Sequence, residues 1–362
     1  MLNLIASQML KYHIMATLTE ASITSRKTVR YIIYSIIGFV LLRIMFNSGV
    51  LLYKKIFPPP PTPATVAFGK LPKLKLPERT NLNINFLLET ADGSLPTVSN
   101  LIKVYFMPKI SSNLLSLDFA SEKAKKLGFV PEAQQITESI YKFNNKDNPA
   151  TLETNIVTGS FSISYDLNAD PSPISTRPPQ PELALSTIKS YLGSAELLPE
   201  DLTGPIDHKY LKTQAGGFIP ALAQSDANLV RIDIFRKNYD ELPVLTDTPG
   251  EANIWFMVSG IKERGREIIA GEYHYFPVDE TQFATYPIKS SDNAWKEFLE
   301  GKYFTASQGS TIEGDNIKIR KIYLAYYDAG IYTEFLQPIF VFTGDKDFVG
   351  YVPAVTDDFI GE

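Results

Sequence analysis

The apolar residues of this chain fall into one long block and many short, alternating runs. The block is Tyr31 to Tyr53, YIIYSIIGFVLLRIMFNSGVLLY. A helix needs roughly 20 predominantly apolar residues to cross a bilayer core of about 30 Å, and a helix satisfies its own backbone polar groups in lipid. The block therefore predicts a transmembrane helix over 31–53. Residues 1–30 read as a cytoplasmic leader outside any globular core. They form either a short amphipathic helix over MLNLIASQMLKYHIMA or, if translation starts at Met15, an ordinary tail. Pro58 to Pro63 then make a stiff polyproline spacer over 54–63.

Short runs follow in two groups. In 64–170, Asn81 to Glu89 and Leu101 to Met107 are strand-like and flank a turn at Ala91-Asp92-Gly93-Ser94. Ser116 to Gly128 has helical spacing, with Leu117, Ala120, Ala124 and Leu127 on one stripe. Ile140 to Phe143, Leu152 to Val157 and Phe161 to Leu167 are strands again, the last two joined by a hairpin at Thr158-Gly159-Ser160. Strands, helix, strands in that order predict a helix on one face of an antiparallel sheet.

The Pro-rich stretch 171–181 predicts a linker, and 182–362 a second unit on the same plan. Its first helix buries Ala184, Leu185, Ile188 and Leu192 and stops at Gly193. Residues 194–227 show weak periodicity and read as an irregular excursion. Leu229 to Phe235, Ile254 to Ser259 and Glu267 to Phe276 are strands. A helix over SSDNAWKEFLEG turns Ala294, Trp295, Phe298 and Leu299 inward, before strands at Ile317 to Tyr327, Ile339 to Phe342 and Phe348 to Val352. Ile317 and Ile319 are out of phase with Ile322, Leu324 and Tyr326, which predicts a bulge at Arg320-Lys321. The fold class is thus α+β: a transmembrane helix followed by two similar helix-on-antiparallel-sheet domains.

Composition narrows the chemistry. At 362 residues, 44% hydrophobic and 12% aromatic, the chain can bury substantial cores. A net charge of -5 argues against a nucleic-acid partner. With no cysteine, disulfides, thiolate zinc sites and thiol nucleophiles are excluded. Arg26, Lys27 and Arg30 before the apolar block nearly balance Lys54 and Lys55 after it. The short N-terminal tail and long C-terminal body then favour an extracytoplasmic body, and no small-x-small site closes the block as in a cleaved signal.

Few residues carry candidate chemistry. Arg43 sits near the middle of the block with Asn47 one turn later on the same face. A central arginine costs about 2.5–3.5 kcal/mol on insertion, so the pair marks either a docking face for a partner helix or a snorkelling side chain. Histidine occurs at His13, His208 and His274, and His274 shares a strand face with Glu272 and Phe276, a solvated face rather than a metal site. No GxSxG elbow and no GxGxxG or GxxxxGK[ST] run after a strand is present, so no catalytic residue, cofactor or metal is expected. Asp233 and Glu272, on neighbouring strands, are the carboxylates a hydrolase reading would use. Asp345-Lys346-Asp347 after Gly344 reads as a hairpin turn rather than half a calcium loop. Tyr323, Tyr327 and Tyr332 form a candidate surface for binding, with Tyr326 turned inward by alternation.

A family pattern is carried by TYPIKSSDNAWKEFLEG, IYLAYYDAG, FLQPIFVFTG and FVGYVPAV. On Ala294, Trp295, Leu324, Ala325, Tyr326, Pro338, Phe340, Phe342 and Tyr351 this part of the chain resembles the C-terminal domain of YycH/YycI-type extracytoplasmic proteins and the wider PepSY-like group. The resemblance implies a single-pass membrane protein without enzymatic activity that binds a membrane sensor kinase, partly through its transmembrane helix. The expectation is a membrane-anchored extracytoplasmic binding protein that regulates or scaffolds a membrane or cell-envelope protein. The alternatives are a carboxylate-dependent envelope hydrolase and a structural part of a secretion or surface apparatus.

Overall fold

The computed structural model of the protein describes residues 31–49, 63–77, 83–109, 116–214 and 217–361. The leader, residues 50–53 of the apolar block and the spacer up to residue 62 lie outside the described residues. Helix α1, Tyr31–Gly49, is 19 residues long and exposed throughout. At 1.5 Å per residue it is about 28 Å long, so among the described residues there is one helix long and apolar enough to span a membrane. The chain divides into a unit over Met1–Pro63 and a compact body over Ala64–Glu362.

The body is mixed α+β. Its elements run β1 (Asn85–Leu88), β2 (Leu101–Phe106), α2 (Ser116–Lys126), β3 (Gln134–Gln135), β4 (Ile140–Asn144), β5 (Ala150–Asn155), β6 (Phe161–Tyr165) and α3 (Pro181–Ser194). Next come β7 (Ile206–Gln214), β8 (Gly217–Pro220), β9 (Leu229–Ile234), β10 (Val244–Leu245), β11 (Ile254–Ser259), β12 (Ile268–Tyr273) and β13 (Asp279–Pro287). The chain ends with α4 (Ser291–Leu299), β14 (Phe304–Ser307), β15 (Asn316–Tyr327), β16 (Phe335–Gly344) and β17 (Val349–Pro353).

These strands make two sheets. One has nine strands in the order β3-β4-β5-β6-β12-β11-β9-β7-β8, all antiparallel. Alternation in ATLETN and FSISY buries one face only, as a half-solvated antiparallel sheet requires. Phe143, Leu152, Ile163, Phe256 and Ile232 fall in one cross-strand row. They pack beneath Ala124 and Leu127 of α2 and its C-terminal turn, and beneath Ala184, Ile188 and Leu192 of α3. Gly271 completes the row, and a Cβ there would lie 2.2 Å from the Phe256 ring. The close approach of that ring requires glycine.

The second sheet has eight strands, with β1-β15-β16-β17-β14 as its path, β10 beside β15, and β2 joining β16 to β13. Strand β16 is buried along both faces. Leu336, Phe340 and Phe342 face α4, where Phe298 stacks on Phe342 at 4.3 Å. Ile339 and Val341 face Leu74 and Leu76, and Gln337 Nε2 donates to the Pro72 carbonyl at 2.9 Å. Residues 64–77 thus run as a strap over this sheet.

The division expected at 171–181 is not where the body divides. Strand β6 pairs with β12 across that segment, while β1 and β2, expected in the first unit, pair with β15, β16 and β13. The segment itself packs at the sheet, where Asn228 donates to the Ile174 carbonyl and Gln224 to that of Pro178. Within the stretch expected to be irregular, β7 and β8 pair antiparallel. Their alternation is masked by charged and polar residues on an edge. Helix α3 runs through Gly193 and turns at Glu196, whose φ is 58°. Leu299 is 51% exposed, one position beyond the buried stripe of α4. The bulge at Arg320 is present, and Ile317, Ile319, Ile322 and Tyr326 all reach one core. Asp345–Asp347 is the short turn between β16 and β17.

Candidate functional site

Helix α2 lies on the nine-stranded sheet with little side-chain volume on its inner stripe. Ala120 and Ala124 leave a cavity of about 340 Å³ against Leu152, Ile156, Phe161 and Leu197. Well-packed interiors leave few voids larger than a water, so a space of this size open to the surface is a site that something can enter. Phe119, also on its wall, is 52% exposed. Val157, in the adjoining β5–β6 turn, and Leu198, next to Leu197, are exposed as well. Lys123 lines the opening and makes no ion pair among the described residues, whereas Lys126 is engaged by Glu196 at 2.9 Å and Glu122 at 3.2 Å. The ammonium–carboxylate bonds raise the Lys126 pKa and lower that of Glu196. The arrangement offers an apolar hole, a greasy rim and one unpaired cation. Sequence periodicity places Phe119 off the buried stripe of α2, and a large aromatic at an outward helical position is the signal that marks this pocket.

The tyrosines expected at a binding surface do not converge on one. Tyr327 is 2% exposed, packed with Tyr351 and the strap. Tyr323 is half-buried on the same face, with Lys321 Nζ 4.7 Å from its ring centre, and burial raises its pKa. Tyr332 packs against Phe276, donates to the Met107 carbonyl at 3.3 Å and accepts from Lys75 Nζ at its own carbonyl. Alternation assigned Tyr323 and Tyr327 to the correct face. That face is covered because the strap, with Lys75 252 residues before Tyr327 in the chain, returns over it.

Arg43 and Asn47 lie one turn apart on the exposed surface of α1. Asp233 and Glu272 are not on neighbouring strands: β11 runs between β9 and β12, and Trp255 sits in register between the two carboxylates. Asp233 is fully buried and bound by Arg231 through two hydrogen bonds of 2.8 Å and by the Ala252 amide at 2.9 Å. Arg231 in turn stacks on Trp255 at 4.2 Å. His274 lies 3.5 Å from Glu272 on the solvated face. His208 is on β7, edge-on to Tyr210. Among the described residues no three His, Asp or Glu side chains gather as a metal site.

The largest concentration of buried charge escaped sequence reasoning. Arg236, just past β9, bonds Asp201 at 2.5 Å, Asp328 at 2.7 Å and the Phe276 carbonyl at 2.5 Å. Tyr239 and Tyr275 also donate to Asp201, both at 2.9 Å. Burial alone would lower the Arg236 pKa, but Asp328 and Asp201 hold it above the usual arginine range. Asp328 follows β15, whereas Asp201 and Arg236 border the nine-stranded sheet, so the cluster clasps one sheet to the other. Its members are 35 and 92 residues from Arg236 in sequence, and no local spacing announces it.

No family model matches the chain, and no curated protein matches it. Among solved structures, the chain is similar to an uncharacterized protein from Eubacterium rectale ATCC 33656, with a TM-score of 0.40 and 14% identity over 77% of this chain and 90% of that chain.

Proposed function

We propose that this is a membrane-tethered protein whose body stands outside the cytoplasm and binds a membrane or cell-envelope protein, regulating or scaffolding it without catalysis. The observation that carries the reading is the apolar pocket beside α2. Its exposed Phe119 suits the buried anchor of a protein interface, where a few aromatic contacts supply most of the energy. Lys123 at the opening favours a segment that pairs an apolar anchor with a carboxylate. Helix α1 supports attachment to a membrane, Arg43 and Asn47 offer a second contact within it, and the resemblance over 285–355 to YycI-type proteins points to a sensor kinase as the kind of partner. The hydrolase alternative has less support, since Trp255 separates its two carboxylates and Arg231 occupies one of them.

The test is a photo-crosslinking amino acid placed at Phe119 in native membranes, with the same probe at Leu87, which is 51% exposed on the other sheet, as control. A discrete membrane-protein adduct from position 119 alone, removed by Ala120→Trp, is expected. Identical adducts from both positions, or an adduct indifferent to Ala120→Trp, overturn the proposal. Protease added to intact cells should digest the body, and a body that survives until lysis refutes its placement outside.

A further inference from the structure

A second cavity opens on the other side of α2. It measures about 750 Å³ and lies between the end of α2, helix α3, the β4–β5 turn and the β11–β12 hairpin, over a floor of Ile163 and Ile268. Most polar groups of a cleft are consumed by their own backbone, and here several are. Asn145 Nδ2 donates to the Gly128 carbonyl and its Oδ1 accepts from the Asp147 amide, both at 2.9 Å. Thr187 and Ser194 donate back into α3, to the carbonyls of Leu183 and Tyr191.

Another set lining the same space is not consumed. Among the described residues the hydroxyls of Ser186, Ser190 and Tyr191 and the carboxylate of Glu267 have no hydrogen-bond partner within the protein, and Asn148 uses only its Oδ1, accepting from the Ala150 amide at 3.1 Å. Burial raises the pKa of both Glu267 and Tyr191. The hairpin approaches closely enough that a Cβ on Gly265 would stand 2.5 Å from Asn148 Nδ2, so the amide is held at the cleft wall. Lys125 and Arg264, also lining the space, make no ion pair among the described residues.

The charges decide the ligand class. A phosphate or carboxylate ligand would meet Glu267, and a cationic one would meet Lys125 and Arg264. An uncharged polyol meets neither penalty. It gives the carboxylate hydroxyl donors, takes donation from Asn148 Nδ2 and the serine hydroxyls, and lays its C–H face on Ile163, Ile268 and the Tyr191 ring. We propose that this cleft is a binding site for an uncharged saccharide, independent of the protein-docking pocket on the opposite flank of α2.

The test uses the full chain in a zwitterionic detergent that carries no sugar, probed with maltotriose, cellotriose and triacetylchitotriose by saturation-transfer NMR and calorimetry. At least one trisaccharide should bind saturably at millimolar concentration. Glu267→Gln should weaken it about tenfold, as loss of a hydrogen bond to a charged group does, and Ser190→Trp, which fills the cleft, should abolish it. Circular dichroism melts check that the variants fold. If Ser190→Trp does not fold, Glu267→Gln, an isosteric change at a half-buried position, decides the matter alone. Absence of saturable binding by all three sugars, or binding unchanged in Glu267→Gln, overturns the proposal while leaving the crosslinking result at Phe119 untouched.

Discussion

One sheet of the body is covered on both faces along its central strand β16, whereas the other is partly open on one face along β5, β6 and β12. In the eight-stranded sheet, α4 and the strap sandwich β16, whose eight residues from Phe335 to Phe342 are all buried. Large rings fill the space: Phe298, Phe342, Phe348 and Trp295 stack or meet edge to face. In the nine-stranded sheet, α2 covers one face with Ala120 and Ala124 on its contact stripe and α3 with Ala184, Ile188 and Leu192, while on the other face Lys142, Glu153, Ser162, Glu272 and Trp255 form a partly exposed cross-strand row that ends at buried Asp233. Aromatic packing uses its volume for stability. The alanines of α2 leave room beneath that helix, the exposed serines of α3 border a second space, and the two pockets open there. The comparison teaches that this body keeps one half filled by aromatic rings and another half with open space beside its helices.

Four experiments break or sharpen this contrast. The largest effect should come from Phe342→Ala, which removes a ring stacked in the closed sheet and should cost about 3–5 kcal/mol in denaturant unfolding. Leu152→Ala, beside the existing α2 pocket, should fall nearer about 2 kcal/mol, because part of its surroundings is already empty. Equal losses would mean that the pocket does not loosen its sheet.

Arg236→Met should be nearly as severe, about 3–5 kcal/mol, because it strands Asp201 and Asp328 without their cation. The chain has 2 tryptophans, Trp255 on the nine-stranded sheet and Trp295 on α4. Single-tryptophan versions therefore report each half by fluorescence. Their transitions should coincide in the parent chain and separate once Arg236 is replaced. Coincidence in both would show that the clasp is not what couples the sheets.

A smaller effect is expected in acid. Asp240 is partly buried, which raises its pKa, but hydrogen bonds from Lys103 and Tyr105, each 2.6 Å, outweigh this and hold it below the ordinary aspartate value. A carboxyl lowered in the folded state stabilises above its unfolded pKa of about 3.9, and that contribution is lost as pH falls through the folded value. Asp240→Asn should therefore lower stability at neutral pH and flatten its decline below about pH 4, measured by thermal melts across pH. A decline as steep as the parent's would assign the acid sensitivity elsewhere. The smallest change should be Glu272→Gln on the open face, within about 0.5 kcal/mol. A larger loss would mean that this face is covered.

The apolar helix α1, the helices of the body and most inner strands were legible because they depend on neighbours in sequence. A run of 19 predominantly apolar residues makes α1 whatever surrounds it, and the phase shift around Arg320 reveals its bulge from the isoleucines alone. Alternation also told which residues share a face, as with Tyr323 and Tyr327. It could not tell whether that face meets solvent, because the strap that covers it is remote in the chain.

Partner choice between strands belongs to the tertiary structure. Backbone hydrogen bonds in a sheet are the same for every sequence, so β2 carries no mark that it pairs with β13 and β16 or that β6 pairs with β12. Volume and long-range charge make that choice, and with it the clasp at Arg236 and both pockets beside α2. Local period determined which elements form and which side chains point together. Only packing between distant segments decided what each face meets, since burial is a property of the assembled surface and not of any stretch of chain.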